Sequence, residues 1–501
     1  MTGSTIGTVF DAPRDAAAPA VRGEEREASY GEIGERSGRL AAGLLSAGAV
    51  PGDRIAVLCR NSVESVEIFF AAAQIGAVVV PIEIGLRGLE VDFQLRESQA
   101  RWLFADWSGW EVARDLVGIE PMPQPVAVGA ELWTRAGRPV QAYEDLLAAD
   151  AGSVPRPGLD PGRPLLLRFA LDAAGLPRAW SLTEAELLAG ARGQIDEFGI
   201  TADSVYLSAP GRSWAADAYD LGIACWLAGG VVRLAAPRRF DVADYRAELV
   251  FSRATHALLS SSQLRILACS ESLAGGGLDR LRTICVAARG PVGDVMPAAA
   301  KTLPSCRIVQ VLCHAGLGGT AAVLEAADAA PDVDRVGRAA IGFELAAISA
   351  DGEPLAPGET GEVACRAVGE ERWLALGDLG HLESDGHLVI SERIAETISC
   401  GGLDVCLAEV EATLCEHEAI AEIALVAVPD ARLGEATEAH VVARPDRDVE
   451  PELLAEYARD RLASYKVPTG WVLHSGPLPR AGGGRFEKSL LTVATVGSMA
   501  A

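Results

Sequence analysis

Hydrophobic positions in the first hundred residues alternate between two spacings. Residues 30–47 place apolar side chains at helical intervals, and residues 55–58 form the unbroken apolar run of a buried strand. Residues 63–76 then repeat the helical spacing, and residues 77–81 form a second apolar run. Helices and buried strands in alternation predict a mainly parallel sheet that is covered by helices.

The rest of the chain contains further regions that differ in composition and in the spacing of apolar residues. A stretch rich in Pro and Gly, residues 120–164, separates the first region from a second region of the same kind, residues 165–323. Residues 332–390 carry short apolar runs with turn dipeptides such as Asp385-Gly386, which predict an antiparallel or barrel-like piece. The end of the chain predicts an α+β unit with helices at 410–415 and 452–462 and strands at 420–428 and 440–443.

Composition narrows the classes of function. The 501 residues carry 44 Lys and Arg against 69 Asp and Glu, a net charge of -25, and so acidic a surface repels nucleic acids and anionic lipid. No apolar run is long enough to span a bilayer, and no basic segment followed by an apolar stretch marks a secretion signal. The ten cysteines form no CxxC pair, as is typical of reduced thiols, and we expect a cytoplasmic protein.

Several segments together resemble one enzyme family. They are YGEIGERSGRLAAGLLSAGAVPGDRIAVLCRNSVESVEIFFAAAQIGAVVVPI (residues 30–82), GEPLAPGETGEVACR (352–366), LGDLGHLESDGHLVI (376–390), LASYKVP (462–468) and LPRAGGGRFEK (478–488). In order and spacing they are similar to the adenylate-forming superfamily of acyl-CoA ligases, nonribosomal adenylation domains and luciferases.

The resemblance implies a two-domain α/β architecture. We expect residues 1–395 to form a large acyl-adenylate-binding domain of helix-covered, mainly parallel sheets with a small barrel-like piece. Residues 396–501 would form a small, mobile α+β domain, with the hinge at Ala395 and Glu396 and the active site between the domains. Enzymes of this family first join a carboxylate to AMP at the expense of ATP, and a thiol then displaces AMP.

The loop that holds the ATP phosphates in this family, Y-T-S-G-T-T-G-x-P-K, is degenerate here. The corresponding stretch contains Asp172, Ala173, Ala174 and Gly175, and all four hydroxyl side chains of the family loop are missing. Asp172 also places a carboxylate where a polyanion would bind. At an effective dielectric of about 20, two like charges ~4 Å apart repel by about 4 kcal/mol. We interpret the segment as a connection between strands.

Two further groups needed for adenylation have also changed. The family motif Y-G-x-T-E aligns with residues 315–319, so Gly319 stands where a glutamate coordinates magnesium. The catalytic lysine of the family aligns with Arg485. Loss of one such stabilising group typically costs roughly 10²–10³ in rate, and here the loss is combined. We expect adenylation to be abolished, and with it any magnesium requirement.

Features that serve the second half-reaction are retained. The resemblance assigns Asp378 to the ribose hydroxyls and Arg393 to the ribose and phosphate. It also implies an acyl-AMP site at Gly290, His314, Ala315 and Gly316, a pantetheine passage at Gly401 and Gly402, and an acyl-pocket gate at Trp214. Three of these assignments also have a structural alternative: Asp378 could be a turn residue, the glycine pair an ordinary loop, and Trp214 a core residue.

This selective loss leads to a main hypothesis and two alternatives. The main hypothesis is a non-adenylating acyl-CoA ligase, which takes acyl-AMP from a separate adenylating enzyme, transfers the acyl group to CoA and holds no tightly bound cofactor. It resembles the split ligase systems of bacterial natural-product pathways of the platensimycin type. The alternatives are a complete ATP-dependent synthetase with an atypical site and a catalytically silent scaffold or binding protein. A homodimer is left open.

Overall fold

The fold was analysed in a computed structural model of the chain. It describes residues 5–11, 15–113, 116, 123–129, 140–149, 160–171, 177–208, 221–235, 240–268, 276–287, 292–293, 295–330, 334–393, 397–401, 403–430, 433–444, 447, 449–480, 486, 488 and 490–491. No helix in these ranges is long and apolar enough to cross a bilayer.

Twelve α-helices and twenty-five strands are present in the described ranges. The helices are α1 (Tyr30–Ser46), α2 (Val63–Ile75), α3 (Gly88–Ser98), α4 (Trp107–Ala113), α5 (Tyr143–Leu146), α6 (Glu184–Phe198), α7 (Leu221–Ala228), α8 (Val242–Ser252), α9 (Ser261–Ala268), α10 (Val295–Thr302), α11 (Leu407–Cys415) and α12 (Pro451–Arg461). The strands are β1 (Pro19–Arg22), β2 (Glu27–Ser29), β3 (Arg54–Leu58), β4 (Val78–Pro81), β5 (Trp102–Ala105), β6 (Gln124–Ala127), β7 (Gln141–Ala142), β8 (Pro164–Leu171), β9 (Pro177–Thr183), β10 (Val205–Leu207), β11 (Val231–Arg233), β12 (His256–Ser260), β13 (Thr283–Ala287), β14 (Arg307–Cys313), β15 (Thr320–Glu325), β16 (Arg335–Ala339), β17 (Phe343–Ile348), β18 (Gly361–Ala367), β19 (Leu374–Leu382), β20 (Leu388–Arg393), β21 (Thr397–Cys400), β22 (Leu403–Cys406), β23 (Ile420–Asp430), β24 (Gly434–Ala443) and β25 (Gly470–His474).

Local sequence signals explain where the first helices begin and end. Ser29 caps α1 in a reciprocal capping box with Glu32, and Ser62 caps α2 through the amide of Ser65. Gly76 ends α2 with a φ of 76°, a left-handed conformation that glycine adopts without a steric penalty. The helices predicted at residues 30–47 and 63–76 are therefore confirmed within one residue at each end.

Two large sheets make up the N-terminal part of the chain. One has seven strands in the order β7-β6-β5-β3-β4-β8-β9, with β3 parallel to both β4 and β5. The other runs through thirteen strands, in the order β17-β18-β19-β20-β16-β15-β14-β13-β12-β10-β11-β1-β2. Strands β10 to β14 pair in parallel, and β15 to β20 pair antiparallel with β17 curling back to contact β15. The mixed α/β class predicted from the sequence is confirmed.

A five-stranded sheet from β21 to β25 forms the C-terminal unit with α11 and α12. The two longest neighbours in it, β23 and β24, pair antiparallel along their whole length. Its own apolar core includes Val405, Val410, Leu425, Val441 and Leu454, all at most 1% exposed. The four elements predicted here at residues 410–415, 420–428, 440–443 and 452–462 are all present. The first three extend beyond the predicted bounds, and the last is shifted by one residue.

A buried histidine makes the stability of the central sheet depend on pH. His256 of β12 is 1% exposed; its Nδ1 lies 2.8 Å from Thr255 Oγ1 and its Nε2 3.0 Å from the carbonyl oxygen of Phe198. Burial lowers the pKa of His256 below its ordinary value of 6.5, even though the bond to Phe198 raises it. The unfolded chain therefore binds this proton more readily, so the stability is complete above about pH 6.5 and falls as the pH decreases.

We expect the free energy of unfolding to decrease between pH 6.5 and pH 5 by up to about 1.4 kcal/mol per pH unit for this one group. The variant His256→Gln should flatten the pH dependence in that range, because it cannot take up the proton. Urea denaturation at half-unit pH intervals measures both slopes. Parallel curves for the two proteins would contradict the assignment.

Candidate functional site

A cavity of about 450 Å³ lies between the N-terminal sheets and the C-terminal unit. From the N-terminal side it is lined by α3, β8 and the turn that follows β14, and from the C-terminal side by β22, α11 and the segment after α12. Its lining includes Glu90, Phe93, Arg168, Phe169, residues 313–315, Leu403, Asp404, Glu409, Arg461, Tyr465 and Lys466. Leu89 and Phe93 are 63% and 41% exposed, so the cavity opens to solvent beside α3.

The inner wall of the cavity is formed by the turn after β14. His314 and Ala315 line it, and the backbone amide of Gly316 donates to Nδ1 of His314 over 3.0 Å. With Nδ1 accepting, the neutral ring carries its proton on Nε2 and can donate from there. Trp180 packs edge-on against His314 at 4.7 Å between ring centroids. A Cβ on Gly316 would lie 2.7 Å from the Trp180 ring, so the turn and the indole fit only with glycine here.

The two residues assigned to the ribose are neighbours across one pair of strands. Asp378 of β19 and Arg393 of β20 are directly opposite in the antiparallel register. A methyl carbon of Leu374, also on β19, lies 3.1 Å from where a Cβ of Gly316 would stand. The structure therefore brings the strand that carries Asp378 against the turn of His314, Ala315 and Gly316.

Gly401 lies at the tip of a hairpin that reaches the cavity. Cys400 pairs with Leu403, so Gly401 lies at the turn of this hairpin, and it has a φ of 61°. The turn thus gives a conformational reason for glycine at position 401. Leu403 and Asp404, which follow the tip, line the cavity, so the hairpin also forms part of its wall.

The position of the magnesium ligand is closed by packing. A Cβ on Gly319 would lie 2.7 Å from the Cα of Gly190 in α6, and a Cβ on Gly190 would in turn clash with the carbonyl oxygen of Gly318. The helix backbone therefore rests directly on the turn, and a side chain at position 319 has no room. Because Gly319 also offers no side-chain oxygen, the residues present do not fit the family's magnesium site.

The remaining predicted site residues lie outside the described part of the chain. They are Asp172, Ala173, Ala174 and Gly175 of the degenerate loop, Trp214, Gly290, the hinge residues Ala395 and Glu396, Gly402, and Arg485. Their assigned roles stay predictions.

Four residues at or beside the cavity were missed by the sequence reasoning. Arg168 of β8 is 7% exposed and lines the cavity with Glu90 and Lys466, while Trp180 packs behind its inner wall. Lys466 belongs to the segment LASYKVP, which carries the family resemblance, but no spacing within the sequence pairs it with Glu90. Trp180 lies five positions after Gly175 of the degenerate loop, and a large aromatic residue so close to that loop was the available signal.

Two other groups of charges in the described ranges are already paired among themselves. A cavity of about 600 Å³ beside the carboxyl ends of β3 and β5 contains Arg60, which bonds Asp106 at 3.0 Å. At the turn between β19 and β20, Glu383, Asp385 and His387 could hold a metal ion. Arg335 lies 2.6 Å from Glu383 there, and hydrogen bonds from His387 lower the pKa of Asp385. None of the predicted site residues lies in either group.

Family models match both parts of the chain. The model described as AMP-binding enzyme matches residues 11–369, and the model described as AMP-binding enzyme C-terminal domain matches residues 409–484.

Relatives with assigned names align over nearly the whole chain. A fatty acid–[acyl-carrier-protein] ligase, ScoC, of Streptomyces coeruleorubidus is 27% identical over 92% of this chain and 90% of its own length. An indoleacetate–CoA ligase of Aromatoleum aromaticum is 28% identical over 94% of this chain and 93% of its own length. A feruloyl-CoA synthase of an Amycolatopsis species is 29% identical over 94% of each chain.

Solved structures share the fold. The amide bond synthetase McbA of Marinactinospora thermotolerans superposes with a TM-score of 0.84 over 98% of this chain and 99% of its own, at 22% identity. The o-succinylbenzoate CoA synthetase MenE of Bacillus subtilis, a double mutant, gives a TM-score of 0.79 over 98% of both chains, at 20% identity. At such identities the likeness concerns the fold.

Proposed function

We propose that this chain, which belongs to the AMP-binding enzyme family, catalyses only the thioester-forming half of the acyl-CoA ligase reaction. It would bind an acyl-AMP made by another enzyme, admit a thiol, and release the acyl thioester and AMP. The family membership and the ligase names of its relatives support the broader reaction class. The restriction to one half-reaction is our proposal.

The observation that carries this restriction is the contact between Gly319 and Gly190. A missing ligand can be replaced by a neighbouring side chain, but here the helix α6 fills the space that a glutamate would need. The loss is therefore built into the packing of the N-terminal part and is more than a point substitution. Asp172 in the degenerate phosphate loop adds a repulsion toward ATP, by sequence alone.

The second half-reaction makes smaller demands on the protein. An acyl-adenylate is already activated, so the enzyme can work mainly by positioning it against the thiol. The cavity supplies a passage from the solvent beside α3 to the turn at His314 and Ala315. Asp378 lies on the strand that packs against that turn, which supports a role in holding the ribose.

Relatives differ in the acid and the acceptor that their names print. One is a ligase for fatty acids and acyl-carrier protein, and others are named for indoleacetate and CoA or for feruloyl-CoA. We propose CoA as the acceptor here, as in the names of the indoleacetate and feruloyl relatives.

Mass spectrometry of the reaction products tests the proposal. The purified protein is incubated with CoA and a panel of synthetic aliphatic and aromatic acyl-adenylates, and separately with the free acids, ATP, magnesium and CoA. We expect acyl-CoA and AMP from at least one adenylate, and neither thioester nor pyrophosphate from any acid. A reaction without protein measures spontaneous transfer.

Other products would decide for the other hypotheses. Pyrophosphate and thioester from a free acid would identify a complete ATP-dependent synthetase. If no adenylate gives a thioester but calorimetry shows that acyl-adenylate binds, the chain would be a binding protein that keeps the fold without the chemistry.

A further inference from the structure

Lys466 joins the two parts of the chain. Its side chain is 9% exposed, and its Nζ lies 2.6 Å from a carboxylate oxygen of Glu90 and 2.7 Å from one of Glu409. Glu90 belongs to α3 in the N-terminal part, whereas Glu409 lies in the first turn of α11 in the C-terminal unit. A single buried ammonium therefore bridges carboxylates that come from both sides of the cavity.

Apolar residues just before Lys466 form the rest of this contact. Ala463 is fully buried, and it belongs to the apolar cluster of the N-terminal part that contains Leu58 and Leu86. Tyr465 packs against that cluster and also against the core of the C-terminal sheet. The segment after α12 thus inserts into the N-terminal part, and the Lys466 ion pair lies at its end.

The charges make this arrangement specific. Burial alone would lower the pKa of the Lys466 ammonium, but Tyr465 and the two glutamates together raise it above its ordinary value, so the group stays charged. Buried charges are tolerated when they are paired, and removal of one partner leaves an uncompensated charge. If the C-terminal unit moved away, Glu90 would lose the cation that neutralises it.

We propose that Lys466 is a positioning residue, which by binding Glu90 holds the C-terminal unit against the cavity in the orientation needed for thiol transfer. The inference rests on the proposed function for its role in the reaction. An enzyme that performs only the second half-reaction needs one orientation of the C-terminal unit, and a buried ion pair across the two parts favours that one. The ion pair itself, and the orientation it holds, can be tested without any activity.

The variant Glu90→Gln tests the bridge with little change in volume. Lys466 keeps Glu409 as a partner, so the C-terminal unit stays folded, but the attraction across the cavity is lost. Hydrogen–deuterium exchange should rise in α3 and in residues 462–466 and stay unchanged in β23 and β24. The KM for CoA should rise about ten-fold, within the range typical of coupling between sites. The kcat should change less than two-fold, because saturating CoA selects the orientation that binds it. The Kd for acyl-adenylate, measured without CoA, should also change less than two-fold.

A matched control breaks a lysine–glutamate pair inside the C-terminal unit. Lys488 lies 2.7 Å from Glu411, at nearly the same distance as the Lys466 pairs. Lys488→Met should leave exchange in α3 and the KM for CoA unchanged. Glu90→Asp keeps the carboxylate and should restore most of the KM, which a purely volumetric effect of the substitution would not do.

The outcomes separate this inference from the proposed function. Unchanged exchange in α3 and an unchanged KM in Glu90→Gln would overturn the positioning role even if the wild-type protein forms thioester. Increased exchange in a protein that forms no thioester would support the bridge and reject the proposed reaction. Equal effects of Lys488→Met and Glu90→Gln would show general destabilisation, and would also overturn the inference.

Discussion

Placing a glutamate at position 319 does not restore adenylation, whether alone or with Arg485→Lys. We expect Gly319→Glu to lower the free energy of unfolding by about 3 kcal/mol, at the upper end of what overpacking costs, and to give no ATP–pyrophosphate exchange. The reason is the 2.7 Å between a Cβ at position 319 and the Cα of Gly190. The Cα of Gly190 is a backbone atom and a Cβ is bonded directly to the backbone, so neither can rotate away. Removal of the clash therefore requires a shift of α6. Urea denaturation and a radiolabelled exchange assay measure the two effects.

Gly276→Ala is the control for this substitution. A Cβ at position 276 meets nothing within 4 Å, so a change within about 0.5 kcal/mol is expected there. Pyrophosphate exchange in Gly319→Glu with undiminished stability would show that α6 yields easily. In that event the loss of the metal ligand would be a point substitution, and the proposed restriction to one half-reaction would lose its main support.

The second large effect is expected at Asp378. We predict that Asp378→Ala lowers kcat/KM for acyl-adenylate about 100-fold, because hydrogen bonds to a charged group contribute about 1.5–3 kcal/mol each. Asp378→Asn keeps one acceptor oxygen and should lose less. Steady-state kinetics with supplied acyl-adenylate and CoA measures both variants, and direct binding of AMP by calorimetry shows whether the loss is in binding.

Asp385→Asn provides the matched control in the same pair of strands. Asp385 accepts the backbone amide of His387 at 3.1 Å in the turn that follows β19, so its role is to shape that turn. Its substitution should reduce stability slightly and leave the kinetics unchanged. If Asp378→Ala behaved in the same way, with lower stability and normal kinetics, Asp378 would be a structural residue and the ribose assignment would be wrong.

Gly319 and Gly190 illustrate what the sequence and the structure each explain about the lost magnesium ligand. The sequence shows Gly319 at the position where the family motif has a glutamate, and it suggests that a glutamate placed there would restore adenylation. Only the packing of α6 reveals that Gly190 and Gly319 are matched. Gly190 lies inside a helix, where glycine is less favourable than alanine by roughly 0.5–1 kcal/mol, and the close approach of the turn gives the reason for it.

The sequence alone determined the class of fold and the family. Residues 30–82 have apolar spacings that depend only on local geometry, and the helix caps at Ser29 and Ser62 act within three residues. Capping and periodicity are short-range effects, so the first helices were predicted within a residue. The order and spacing of the motifs likewise sufficed to single out Asp378, His314 and Gly401 as candidate site residues.

Only the tertiary structure decided which distant residues meet. Lys466 and Glu90 are separated by 376 positions in the sequence. A lysine or glutamate has the same sequence pattern around it whether its side chain is solvated or bridges two parts of the chain. The fit of α6 on the turn at Gly319 is equally invisible in one sequence, because a glycine is permitted almost anywhere locally. Close packing depends on which surfaces meet, and a single sequence does not specify this. For that reason only the structure revealed that α6 blocks position 319 and that Lys466 bridges the two parts.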